Sequence, residues 1–212
     1  MKDSIAALAG ALLIAHGTVA LAASSVDLSV KGAITPSACS PSLSNGGQVD
    51  YGKISAKDLK PTGYTELPKF TFQLSVSCEA ATLFAITPKN NRPVLPYLGN
   101  PSVYGLGVVN GNELVGAYYL DIENTQADGN NVSPLKSADN GLSWNLIPPG
   151  FPWDPDTFTG FGKNVSGVLA PVQMQELALD LIVWPLISPV DGLTLTESVP
   201  LDGSATLELR YL

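Results

Sequence analysis

Histidine occurs once in the 212 residues, at His16, and cysteine only twice, at Cys39 and Cys78. The first scarcity removes much of the chemistry a sequence can advertise. If the segment carrying His16 is cleaved off, no imidazole is left for a Ser-His-Asp or Cys-His arrangement or for a catalytic zinc. The second bears on thiols. No Cys-x-x-Cys spacing occurs, and in an oxidising compartment an even, widely spaced pair reads as a structural disulfide between Cys39 and Cys78. Charge is also thin, at 14 % of residues, with 11 basic side chains against 19 acidic ones. The net charge of −8 speaks against nucleic acid or anionic lipid as partner. No long charge block argues for disorder. Neither a cofactor nor a metal is expected: Asp154 and Asp156, separated by a proline, fall well short of the roughly six to eight oxygens that calcium takes.

What is present begins with IAALAGALLIAHGTVALA, residues 5–22, an apolar stretch with Ala20 and Ala22 at −3 and −1 of an Ala-x-Ala cleavage site. Residues 1–23 are expected to be a secretory signal peptide, broken too early by His16 and Gly17 to serve as a membrane anchor. Export through the inner membrane follows, to the periplasm and then the cell surface or the medium, with no membrane span after cleavage. Residues 24–212 are expected to form one domain.

That domain reads as strands with no long helical period. Val26, Leu28 and Val30 alternate, and Gly32 and Ile34 keep the register towards Cys39. Val49–Ile54 is a second extended piece, and Ser55 could cap one helical turn in SAKDLK. FTFQLSVSC places Phe70, Phe72, Leu74, Val76 and Cys78 on one face. Strands at 83–87, 104–109 and 114–123 follow, then Leu177, Leu179, Leu181 and Val183 alternate, and LTLTESV and SATLELRYL close the chain. Short strands separated by Pro, Asn and Gly turns predict an all-β sandwich. In the last of them Leu207, Leu209 and Tyr211 share a face, an edge on which another chain could pair.

Residues 124–168 break the rhythm and are expected to be a loop-rich insertion. Trp144, Trp153 and Phe158 could stack on a ligand there or cap one end of the sandwich; the capping reading expects a stability loss for Trp144 and a smaller one for Trp153. Within it SADNGLSW, residues 137–144, resembles the Asp-box of sialidases, with Ser143 where Thr is usual. The resemblance implies a hairpin stabilised by Asp139, Gly141 and Trp144. A single copy in a chain too short for a propeller leaves a glycosidase as the least supported function.

VDLSVKGAITPSAC (26–39), the second cysteine at the end of an alternating strand and the penultimate Tyr211 together resemble a subunit of chaperone–usher fimbriae. GAITPSACSPSLSNGGQVDYGKISAKDL (32–59) with LSVSCEAATLFAI (74–86) is similar to a family of Gram-negative secreted proteins of unknown function, sometimes labelled beta-fimbrial major subunits. The resemblance implies an immunoglobulin-like, pilin-like β-sandwich lacking its last strand, whose groove is filled first by a periplasmic chaperone and then, at the usher, by another fimbrial subunit. Leu207, Leu209 and Tyr211 would form the groove wall and chaperone edge, and the disulfide would tie the first strand to a neighbour. Val26, Leu28 and Val30 lie so close to the cleavage site that they are either the donor strand itself or part of a chain that only accepts one; a self-completed sandwich is the third option. Three functions therefore compete: a structural fibre subunit, a secreted or surface adhesin-like module that contacts glycan or protein through the aromatic loops, and the glycosidase.

Overall fold

The computed structural model of the protein describes residues 26–32, 38–92 and 100–212. The expected signal peptide lies outside the described residues. The chain divides into two compact units, Met1–Thr35 and Pro36–Leu212, and every described strand belongs to the second. In chain order these are β1 (Cys39–Leu43), β2 (Thr65–Glu66), β3 (Phe70–Thr82), β4 (Phe84–Asn90), β5 (Tyr104–Gly105), β6 (Val108–Val109), β7 (Glu113–Leu114) and β8 (Gly116–Ala127). They continue with β9 (Asn130–Asn131), β10 (Ser133–Ser137), β11 (Asn145–Leu146), β12 (Phe158–Val165), β13 (Val168–Pro171), β14 (Met174–Ile187) and β15 (Ala205–Tyr211).

The fold class is the expected one, an all-β sandwich of antiparallel sheets. The first sheet runs β1-β3-β14-β8-β5, with β2 beside β14 and β9 beside β8; the second runs β11-β10-β12-β4-β15, with β13 beside β12. Alternation explains the first sheet directly. Phe72, Leu74 and Val76 of β3 and Leu177, Leu179 and Leu181 of β14 all turn inward, no more than 4 % exposed, and pair in register as Val76 with Leu177 and Leu74 with Leu179. Phe84, Ile86 and Phe161 meet them from the second sheet. Burying such side chains at roughly 25 cal/mol per Å² is the main favourable term holding the sheets together.

Several local expectations are corrected. Residues 26–32 form no strand, and the side chains of Val26, Leu28 and Val30 are 93 %, 89 % and 88 % exposed; residues 33–37 of the same expected strand lie outside the described ones. Val49–Ile54 and Leu193–Val199 are irregular, because neither finds a ladder partner. Ala56–Asp58 is one 3-10 turn, but the Ser55 hydroxyl does not cap it; the Ser55 carbonyl accepts the Asp58 amide at 2.9 Å instead. The largest correction concerns 124–168, which is no insertion: β10 and β12 are central strands of the second sheet. Their signal was hidden by Pro134, Gly160 and Gly162, small or ring-closed residues that break an apolar alternation. Gly160 is needed because a Cβ there would lie 2.6 Å from Pro171 and 2.9 Å from the Trp144 ring, which lies against the strand.

Candidate functional site

The two sheets each end in a strand with one partner. β1 pairs only with β3, and β15 only with β4, so both present a free edge among the described residues. In an antiparallel ladder alternate N–H and C=O groups point away from the single partner. The edges are pinned together at one end, where the Cys39 amide donates to the Tyr211 hydroxyl at 3.1 Å. From there they part. Leu43 at the far end of β1 and Ala205 and Leu207 at the start of β15 line opposite walls of a cavity of about 260 Å³.

The floor of this groove is apolar, formed by Phe72, Leu120, Leu181 and Val183 from the first sheet, with Leu106 and Tyr118. A second cavity of about 770 Å³ adjoins it and shares Val49, Tyr51 and Leu201. Its walls are the two irregular segments, 49–59 and 193–201, whose backbone has little ladder bonding of its own. Polar anchors hold these walls. Arg92 grips Asp202 through Nε at 2.9 Å and Nη2 at 2.7 Å, just before β15 begins, which holds that carboxyl below its ordinary range. Glu113 accepts from the Thr194 amide and hydroxyl, both at 2.7 Å, and from Asn110 at 2.8 Å, and these bonds, the Thr194 amide foremost, likewise lower its pKa. Asn91 Nδ2 reaches the hydroxyls of Ser204 and Thr206 at 3.1 and 2.9 Å. Apart from the local Asn110–Glu113 bond, none of these anchors has a signature in the sequence, because each joins residues some eighty to one hundred and fifteen positions apart.

The expected edge residues divide their work. Leu207 lines the groove, Leu207 and Leu209 are half-buried against the core, and Tyr211, 47 % exposed, closes the pinned end. The disulfide is formed between Cys39 and Cys78, which face each other in the β1–β3 ladder with Cα atoms 4.0 Å apart. Cys39 sends its amide to Tyr211 instead of to β3, so this is a non-hydrogen-bonded pair, the closely spaced kind that brings Cβ atoms together. One cross-link thus fixes β1, whose opposite edge bounds the groove.

The aromatic residues of 144–161 are not a cluster on one surface. Trp153 is 0 % exposed; its indole N–H donates to Thr159 Oγ1 at 2.6 Å, its amide to the Leu120 carbonyl at 2.6 Å, and its carbonyl accepts from Tyr104 at 2.8 Å. It offers no face to a ligand. Phe161 is buried with it, Phe158 and Trp144 are half-buried, and Phe151 is 61 % exposed. Tyr104 stacks on Tyr118 at 5.3 Å, and burial pushes both hydroxyls well above the ordinary phenol range. The Asp-box resemblance corresponds to a real hairpin between β10 and β11. Asp139 Oδ1 accepts from the Ser137 hydroxyl at 2.6 Å and the Ser143 amide at 2.9 Å, and Oδ2 from the Ser143 hydroxyl at 2.5 Å. These bonds, the Ser137 one foremost, hold its pKa down to about 2. All donors come from the hairpin itself.

Among the described residues no group of three or more His, Cys, Asp or Glu side chains is placed to hold a metal ion. No helix among them is long and apolar enough to cross a membrane. Comparison with known proteins gives the setting. Residues 28–110, which include β1 and the disulfide, match the family model described as "Protein of unknown function (DUF1120)". The chain is 26 % identical to Protein GltF of Escherichia coli (strain K12) over 248 aligned residues, covering 98 % of this chain and 96 % of that protein. It is 25 % identical to Uncharacterized protein YhcF of the same organism, covering 91 % and 93 % of the two chains. The likeness to a family of unknown function is therefore carried by sequence well beyond the short motifs, while neither relative bears a fimbrial name.

Proposed function

We propose that this protein is a structural subunit of a fimbria-like surface fibre, completed by a β-strand from another chain. One observation carries the reading: two free strand edges, β1 and β15, flank an apolar groove whose floor belongs to the hydrophobic core. A strand laid between them would satisfy outward-pointing backbone groups on both sides and cover Phe72, Leu181 and Val183 with alternate side chains. The chaperone of the periplasm would supply that strand first, and a neighbouring subunit, at the usher, would replace it. Val26, Leu28 and Val30 suit the donor's part, since they alternate with Asp27, Ser29 and Lys31 and are all strongly exposed.

The test uses the protein purified from cells expressing the full chain without other fimbrial components. A synthetic peptide of residues 26–34, VDLSVKGAI, is added and thermal unfolding is followed. Ligand that binds only the folded state stabilises it by RT ln(1 + [L]/Kd), about 2.7 kcal/mol at a hundredfold excess over Kd, so the melt should rise with peptide concentration. A scrambled peptide should not raise it. A stable monomer with a cooperative melt that no strand peptide or chaperone shifts would refute strand donation.

A further inference from the structure

Two segments whose sequences alternate like strands, 49–54 and 193–199, have no ladder partner among the described residues, and both wall the second cavity of about 770 Å³. Val49 and Tyr51 are half-buried while Asp50 and Gly52 are exposed; Leu193 and Leu195 are half-buried while Thr194 and Thr196 are exposed. The buried Val115 and Ile187 line the same cavity. Each wall continues an edge of the groove. Residues 49–54 follow β1 and residues 193–201 precede β15, and the two cavities share Val49, Tyr51 and Leu201. What the walls lack is partners for their backbone. The Thr194 amide is held by Glu113, and the Asp202 amide donates to the Leu106 carbonyl at 3.0 Å. Between them, among the described residues, the backbone of 195–201 makes no hydrogen bond, and that of 49–54 makes only the one from the Gly52 amide to Asp50 Oδ1 at 2.7 Å. Water satisfies such groups while the cavity is open, and whatever covers it must replace that water. An apolar small molecule has nothing to offer them, whereas an extended chain brings backbone donors and acceptors along its whole length.

We propose that the acceptor groove runs on through the second cavity, so that the strand it receives from another chain is bound over about a dozen residues and not only over the five that β1 can pair. The far half of that strand bonds the backbone of 49–54 and 195–201, which become ladder segments only when it is present. Its alternate side chains there are large and apolar, to fill a space wider than the 260 Å³ beside β15 and to cover Val115 and Ile187. The inference rests on the strand-donation reading and adds to it the length of the donor and the two segments that order around it. The fixed points at Thr194 and Asp202 let 195–201 move onto the strand without disturbing the sheets on either side.

The probes are the strand VDLSVKGAI and two longer ones that continue its alternation, VDLSVKGAISLSL and LSLSVDLSVKGAI, one for each direction in which a strand can enter. Amide hydrogen exchange of the full chain is read at 205–211 and, separately, at 49–54 and 195–201, whose amides should exchange fast in the free protein. One of the longer strands should slow exchange at all three places and bind roughly tenfold tighter than the short one. Leu195→Asn with Val199→Asn, which alters only the wall of the second cavity, should remove that advantage and leave binding of the short strand unchanged. Slowing confined to 205–211, or equal affinity of long and short strands, would overturn the extended groove while strand donation stands. Slowing nowhere, with no rise in the melt, would overturn both.

Discussion

Trp153 supplies the sharpest test of the packing. Its indole is fully buried between the sheets and its N–H has one acceptor, Thr159 Oγ1, itself 0 % exposed. Trp153→Ala removes a large ring from a core that can collapse only partly, and should cost about 3–5 kcal/mol. Trp153→Phe keeps most of the ring and separates the hydrogen bond from the volume: the Thr159 hydroxyl then loses its donor, worth about 1–3 kcal/mol on top of the lost area. Thr159→Val should cost a comparable amount by stranding the indole N–H. The double variant removes both polar partners from one apolar site, so its loss should be clearly smaller than the sum of the two singles. Equilibrium urea unfolding of the four proteins measures the cycle. A Trp153→Ala variant within about 1 kcal/mol of the natural chain, or strict additivity in the cycle, would refute this account of the core. The order expected from sequence, a larger loss at Trp144 than at Trp153, should be reversed, because Trp144 is only half-buried against Gly160 and Pro171.

Three further outcomes follow. Replacing both Cys39 and Cys78 by Ala reopens a loop spanning a sequence separation of 39, a loop-closure loss of about 4 kcal/mol, readable as a lower urea midpoint. Tyr211→Phe leaves the ring but removes the acceptor of the Cys39 amide, and should cost about 1 kcal/mol while hydrogen exchange at Cys39 accelerates and that at Leu74 does not. Asp139 has a folded pKa of about 2 against an ordinary 3.8, so its contribution is fully present above the ordinary value and is lost as pH falls through about 2. Ser143 amide protection should follow that window, and Asp139→Asn should abolish the dependence.

Alternation was legible wherever one face of a strand meets the core and the other meets water. Phe72 to Cys78, Leu177 to Leu181 and Leu207 to Tyr211 all show it, and so the sandwich class could be read without coordinates. β12 could not be read this way, because this part of the second sheet is covered on its outer side too: Thr159 to Gly162 are all buried, Ala85 and Thr87 of β4 are buried with Phe84 and Ile86, and Trp144 lies over Gly160, whereas β10 buries Leu135 and Ser137 around exposed Lys136 in a run too short and too polar to stand out. A strand buried on both faces loses its period, and glycine erases what remains. The converse error came from Val26 to Val30 and Leu193 to Val199, which alternate but have no ladder to join. Period two states which side chains could share a face; a strand also needs a partner for its backbone.

The sequence alone determined the chemical limits of this protein: two cysteines suited to pairing, one histidine near the start, an acidic balance and a terminal strand with an apolar side. These are properties of residue type and short spacing, which need no third dimension. Only the tertiary structure decided that Trp153 is core, that Tyr211 clasps Cys39 across 172 positions, and that β1 and β15 part to open a groove. Each depends on which distant strands become neighbours. That choice is made by the simultaneous burial of two sheet faces, a sum over the whole chain that no local window contains.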